Sequence, residues 1–244
     1  MKYPLEYIKC LLFCLAMLLL QPCFSFAQGK DKDKPAKYSV AYAAETRDAL
    51  NFYKRNYDTF KKHFPGVSES MLKVVYCVVA PEVSQYDAMT DFFEVKALEA
   101  KYVKDGSCNY SIGYFQMKPI FVESLEKEVF NNASLKKKYG KLLAYAKGKN
   151  SATVRAERLK RMCETEWQIR YLAIFIDVVK QRTSKWGLKS NKDKVRYWAT
   201  LYNAGLYLNK TRVKNRQNVK QFPRGTKEFN YSAVAVELYG KLVE

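Results

Sequence analysis

Residues 71–80 carry a single charge, Lys73, and apolar side chains on every side. A segment that is apolar all round is stable only when the rest of the protein encloses it, so the fold of this chain is built around residues 71–80. Ser68 or Ser70 is placed to cap it as a helix. β-Branched Val74, Val75, Val78 and Val79 equally suit a buried strand, and periodicity alone does not separate the two readings.

The flanking sequence favours helices. In residues 45–63, Leu50, Tyr53, Tyr57 and Phe60 recur at three and four, and Phe64-Pro65-Gly66 stops the pattern. His63 falls in the last turn, where a cation suits the helix dipole. Residues 88–103 read as a helix with Phe92, Val95, Leu98 and Tyr102 on one stripe, ended by Gly106-Ser107. A turn at residues 111–119 feeds a helix through Phe121, Val122 and Leu125, and Lys-rich residues 131–153 suggest a short exposed helix. Residues 154–182 have the strongest period, with Leu159, Met162, Cys163, Trp167, Leu172, Ile176 and Val179, and read as the longest helix. Residues 194–202 and 231–242 complete an all-helical set, separated by a basic segment at 209–227. There is no internal repeat and no alternating strand set. The expected fold class is all-α.

Lys2 and Lys9 precede an apolar run at residues 10–20, followed by small residues near Ala27. This is the pattern of a secretory signal peptide, residues 1–27, with cleavage expected after Ala27. Residues 28–40 alternate charges at first and read as a disordered lead-in, leaving 41–244 as one domain. No later stretch approaches the roughly 18 uncharged residues of a membrane span. Cys23 follows Gln21 and Pro22, whereas a lipid-anchored cysteine normally follows small residues, so anchoring is not expected. An exported protein, periplasmic or secreted, is the expectation.

Charge narrows the partner. The first 27 residues hold Lys2, Lys9 and Glu6, so the remainder has 41 basic and 23 acidic residues, a net charge of +18. Such a field favours polyanions, and export selects cell-envelope polymers over nucleic acid. Cys77, Cys108 and Cys163 are an odd set, read as unpaired. With no C-x-x-C spacing and His63 as the lone histidine, neither a metal nor another cofactor is expected.

Glu82 follows the apolar run and Pro81, where a carboxyl can be poorly solvated and hold its proton near neutral pH. Read without context, it is equally a solvated residue opening a loop. Gly113, Gln116 and Pro119 stand in the spacing G-x-x-Q-x-x-P, with Ser111 just upstream, and Tyr202-Asn203-Ala204-Gly205 closes a later helix. The bland readings are an ordinary helix start and an ordinary helix stop.

The order of acid, G-x-x-Q-x-x-P and Y-N-A-G resembles the soluble lytic transglycosylases of the lysozyme-like superfamily, which cut the glycan strand of peptidoglycan. The resemblance covers residues 68–242, with motif identity at about 20 positions. It implies a lysozyme-like helical domain around a central buried helix, with Glu82 as the catalytic acid. It also implies a substrate groove shaped by Ser111, Gly113 and Gln116, with Gly113 allowing close approach of a sugar. Tyr202 would offer a ring face for a sugar and a hydroxyl near the acid, Asn203 would orient an acetamido group, and Tyr231, opening a helix after the basic segment, would partner the acid.

The chain departs from the family at Val83, where serine usually follows the acid, and in the 34 residues between Glu82 and Gln116, a long gap. Glu99, 17 residues before Gln116, is the second choice of acid. By resemblance Glu82 would protonate the bond between N-acetylmuramic acid and N-acetylglucosamine, then take the proton of the muramic 6-hydroxyl to leave a 1,6-anhydro end. Asp87, Asp91 or Glu94 holding water across the cleft would instead make a hydrolytic muramidase. Two further readings stay open: a basic envelope-binding or assembly protein without activity, and an exported nucleic-acid binder using residues 209–227.

Overall fold

The computed structural model describes residues 37–146 and 150–244, which are mostly helical with no β-strand among them. The expected signal segment, residues 1–27, and residues 28–36 of the lead-in lie outside the described residues. The helices in chain order are α1 (Tyr38–Ala41), α2 (Ala43–Arg55), α3 (Tyr57–His63), α4 (Glu69–Cys77), α5 (Ala80–Ser84) and α6 (Ala88–Ala97). There follow α7 (Pro119–Asn131), α8 (Ala133–Leu143), α9 (Ser151–Cys163), α10 (Thr165–Thr183), α11 (Asn191–Ala204), α12 (Lys210–Arg216) and α13 (Tyr231–Val243).

The enclosed segment is helical. Ser68 Oγ accepts from Met71 N at 3.3 Å and opens α4, in which Leu72, Val74, Val75, Tyr76 and Cys77 are all buried. The strand reading fails because burial against α11 and α13 outweighs the weak helix propensity of valine. Phe52, Tyr53 and Phe60 surround the ring of Tyr76, whose hydroxyl donates to Ala49 O at 2.6 Å.

Near the site the chain turns out of α4 and starts again. Val79 adopts φ −110° and ψ −9°, and α5 begins at Ala80 with Pro81 in its first turn. Proline lacks the N–H that a first turn leaves unused, so it suits this position. Pro81 therefore opens a second short helix, and Glu82 sits within that helix, its N–H bonded to Val79 O at 3.0 Å.

Several expected boundaries move. Tyr38 is fully buried, its hydroxyl 2.6 Å from Ser84 Oγ, and Glu237 accepts from the N–H groups of Tyr38 and Ser39. Residues 38–40 thus belong to the helical domain and not to a lead-in. Residues 45–63 form two helices, broken at Asn56, whose side-chain amide turns back to Phe52 O at 2.9 Å. Residues 154–182 likewise form α9 and α10, broken at extended Glu164. The apolar period carries across both breaks because the helices on each side bury into the same core.

α6 continues through a π-helical turn, Leu98–Tyr102, which rotates the buried face, so Phe92 is exposed while Leu98 and Tyr102 are buried. α8 is less exposed than expected, burying Leu135, Tyr139 and Leu143 and contacting α7 and α10. Cys77, Cys108 and Cys163 are free thiols. Among the described residues no helix is long and apolar enough to cross a membrane.

Candidate active site

The turn at residues 111–119 is a small closed hairpin. Ile112 and Met117 exchange backbone hydrogen bonds at 3.0 Å, and both Gly113, at φ 73°, and Gln116, at φ 47°, are left-handed. Left-handed glutamine is uncommon and strained. Its amide offsets the strain: Gln116 Nε2 donates to Gly113 O at 3.0 Å, and Ser111 Oγ donates to Gln116 Oε1 at 3.0 Å. Ser111 and Gln116 therefore face the site as a braced pair.

Gly113 makes the tight turn that a glycine permits, but the space over it is not open to a sugar. A Cβ there would lie 1.7 Å from Gln168 Nε2, so the space is filled by protein and not by a sugar. Gln168 is 1% exposed, accepts from Phe115 N at 2.9 Å and donates to Met162 O at 2.7 Å, which pins the hairpin to α10. The signal for Gln168 in the sequence is an amide placed between apolar Trp167 and Ile169 within the long apolar period. Half-buried Asp91 secures the other side by accepting from Gly113 N.

Beside this hairpin lies a cavity of about 600 Å³, lined among others by Glu82, Glu94, Gln116, Lys118, Asn203 and Arg224. Glu82 keeps part of its surface on the cavity, while its carboxyl is closely surrounded by protein. Burial pushes that carboxyl up to about 7, against the nearby charge of Lys118, contacts from Asn203 and Tyr231, and the charge of Arg224. That direction is the one a general acid needs. Asn203 is exposed on α11, its amide beside the Glu82 carboxyl.

Tyr231 is buried at the start of α13, its hydroxyl 3.1 Å from Val78 O and against Glu82, which raises it well above the ordinary tyrosine range after burial itself. Its one phenolic proton thus has two acceptors, and the oxygen can in turn accept from protonated Glu82. Tyr231 lines a smaller cavity of about 230 Å³ that shares Asn203 and Ala204 with the larger one.

Tyr202 lines the same cavity and its hydroxyl lies within the field of Glu82, but most of its ring is enclosed by protein. Its hydroxyl donates to Phe115 O at 2.6 Å, and Phe121 and Phe175 flank the ring at 5.2 and 5.3 Å, leaving 9% exposed. It ties α11, which carries Asn203, to the Gln116 hairpin.

The carboxylates separate clearly. Glu99 is exposed, ion-paired with Lys96 at 2.7 Å, and does not line the cavity. Asp87 caps α6 at Thr90 N, and Asp91 is committed to the hairpin. Glu94 lines the cavity, is 9% exposed, and meets Arg224 Nη1 at 3.3 Å through Oε1, while its Oε2 has no protein partner. Burial raises its carboxyl, opposed by Arg224. Arg224 reaches the cavity because Phe222 and Phe229 pair their backbones and close the loop between them.

Searches for known relatives add no assignment. No protein-family model, curated protein or solved structure matches the chain. Glu82, Ser111, Gln116 and Asn203, drawn from three distant parts of the sequence, nevertheless converge on one cavity. Among the described residues no group of histidine, cysteine and acidic side chains is arranged to hold a metal ion. His63 lies outside the cavity lining, bonded to Glu166 at 2.9 Å and lowered by burial.

Proposed function

We propose that this is an exported, lysozyme-like enzyme that cleaves the glycan strand of peptidoglycan as a lytic transglycosylase, with Glu82 as its single acid and base. The observation that carries the reading is the Glu82 carboxyl, raised to about 7 by burial on the cavity wall, with Asn203 and Tyr231 against it.

Protonated Glu82 gives its proton to the oxygen joining N-acetylmuramic acid to N-acetylglucosamine, and the bond from that oxygen to the muramic C1 breaks. The N-acetyl oxygen of the same sugar shares the positive charge at C1, so no second carboxylate is required. Glu82, now ionised, accepts the proton of the muramic 6-hydroxyl as that oxygen bonds to C1. The acid is regenerated and a 1,6-anhydro end is left. Asn203 holds the acetamido group, and the Tyr231 hydroxyl donates its hydrogen bond to Glu82 while the carboxylate is charged and to Val78 O otherwise.

One observation favours hydrolysis as a second reading: the partnerless Oε2 of Glu94 on the same cavity wall has room to accept a hydrogen bond from a water. The net charge of +18 after removal of residues 1–27 suits an anionic wall polymer. The test is to incubate the protein and its Glu82→Gln variant with purified peptidoglycan and weigh the fragments. Anhydro ends that vanish in the variant support the proposal. Muramic ends heavier by one water support hydrolysis, and an absence of fragments from folded protein rejects both in favour of a binding role.

A further inference from the structure

Lys118 is a cation facing an acid that needs its proton. It stands immediately before Pro119 with an extended backbone, and its carbonyl accepts from Phe121 N and Val122 N, fixing it at the mouth of α7 on the cavity wall. Its side chain is exposed and its ammonium makes no hydrogen bond or ion pair among the described residues, although the Glu94 carboxylate lies within its field; Arg224, the other cation on this wall, is paired directly with Glu94. Lys118 also opposes burial at Glu82 more than any other neighbour does. Left unanswered, that charge works against general acid catalysis; an anion on the substrate would cancel it as the substrate binds.

We propose that Lys118 binds a carboxylate carried by the glycan in the Glu82 cavity, so that the site selects acidic over neutral amino-sugar chains. This rests on the glycan-cleaving reading above. Two carboxylates have the required chemistry. The lactyl carboxylate of N-acetylmuramic acid is free in strands without stem peptides; in peptide-bearing strands it is an amide, and the peptide's own carboxylates take its place. In either case the anion pairs with Lys118 and removes the cation's pull on Glu82, leaving the acid protonated at the moment it is needed.

The test measures binding with cleavage silenced. Glu82→Gln, whose amide stands in for the protonated acid, and Glu82→Gln/Lys118→Met are titrated calorimetrically near pH 7 at low salt. The ligands are a peptide-free tetrasaccharide of alternating N-acetylglucosamine and N-acetylmuramic acid, the same chain with stem peptides, and neutral chitotetraose. We expect the acidic chain to bind about tenfold tighter than chitotetraose, as one charge-assisted contact supplies, and the advantage to vanish with Lys118→Met while chitotetraose affinity stays unchanged. An advantage confined to the peptide-free chain identifies the lactyl carboxylate; one confined to the peptide-bearing chain identifies the peptide.

Equal affinity for acidic and neutral chains, an advantage that survives Lys118→Met, or no binding at all overturns the proposal. A loss of affinity for every ligand alike would indicate a structural effect and would also overturn it. If wild-type protein releases no peptidoglycan fragments yet the Lys118-dependent preference is found, the enzyme reading falls and the Lys118 assignment stands.

Discussion

Replacing Glu82 with glutamine should stabilise the protein at alkaline pH while abolishing cleavage. The carboxyl moves from an ordinary 4.5 to about 7 on folding because burial disfavours its charge. The folded state therefore holds the proton over a window in which the unfolded chain has released it. Below about 4.5 both states are protonated and Glu82 imposes no penalty. Between about 4.5 and 7 stability falls as pH rises, and above 7 the full cost of the buried charge remains, about 3 kcal/mol. Glutamine never ionises, so its advantage over glutamate should be near zero at pH 4.5 and grow to about 3 kcal/mol at pH 8. In a domain of this size that is roughly 6–12 °C in melting temperature. Urea denaturation of both proteins at closely spaced pH values measures the difference directly. A difference that is flat with pH, or that widens as pH falls, would mean that the carboxyl is solvated or stably charge-paired, and the argument for Glu82 as acid would collapse.

The remaining predictions concern the frame around the acid. Gly113→Ala should cost roughly 3 kcal/mol or more, since its Cβ displaces Gln168 from two hydrogen bonds at a left-handed position, and thermal denaturation measures it. Tyr202→Phe strands the buried Phe115 carbonyl and should cost roughly 1–3 kcal/mol, together with a loss of cleavage as the hairpin loosens; unchanged stability would show that water replaces the hydroxyl. Glu99→Gln should leave melting temperature and fragment release unchanged, and a loss of cleavage with an intact fold would move the acid to Glu99. With wild-type protein, initial cleavage rates should decline as pH rises through about 7, and rates that increase across that range would count against a protonated Glu82.

Much of the frame is legible in the sequence because it depends on local periodicity and composition. Residues 71–80 have one charge and therefore lie inside, and spacings of three and four elsewhere make the chain helical. Left-handed turns, helix ends and a carboxyl at the end of an apolar run are likewise properties of a few adjacent residues. The breaks at Asn56 and Glu164 escape this reading because an apolar stripe persists whether one helix or two cover the same core.

Only the tertiary structure decides which side chains occupy the same space. Gly113 reads from sequence as room for a sugar, yet Gln168, 55 residues on, fills it. Tyr202 reads from sequence as a ring face for a ligand, and packing between Phe121 and Phe175 makes it also a brace on the cavity wall. Glu82 reads from sequence as either a poorly solvated acid or a loop carboxylate, and enclosure decides for the first, while Glu99 pairs with Lys96 outside the cavity. Lys118 and Arg224 become part of the acid's environment only when a helix start and a distant loop meet at one cavity. Helix formation and overall burial follow from hydrogen bonds and apolar spacing a few residues apart. The electrostatics of a site follow from distances between residues that the sequence separates by tens to more than a hundred positions.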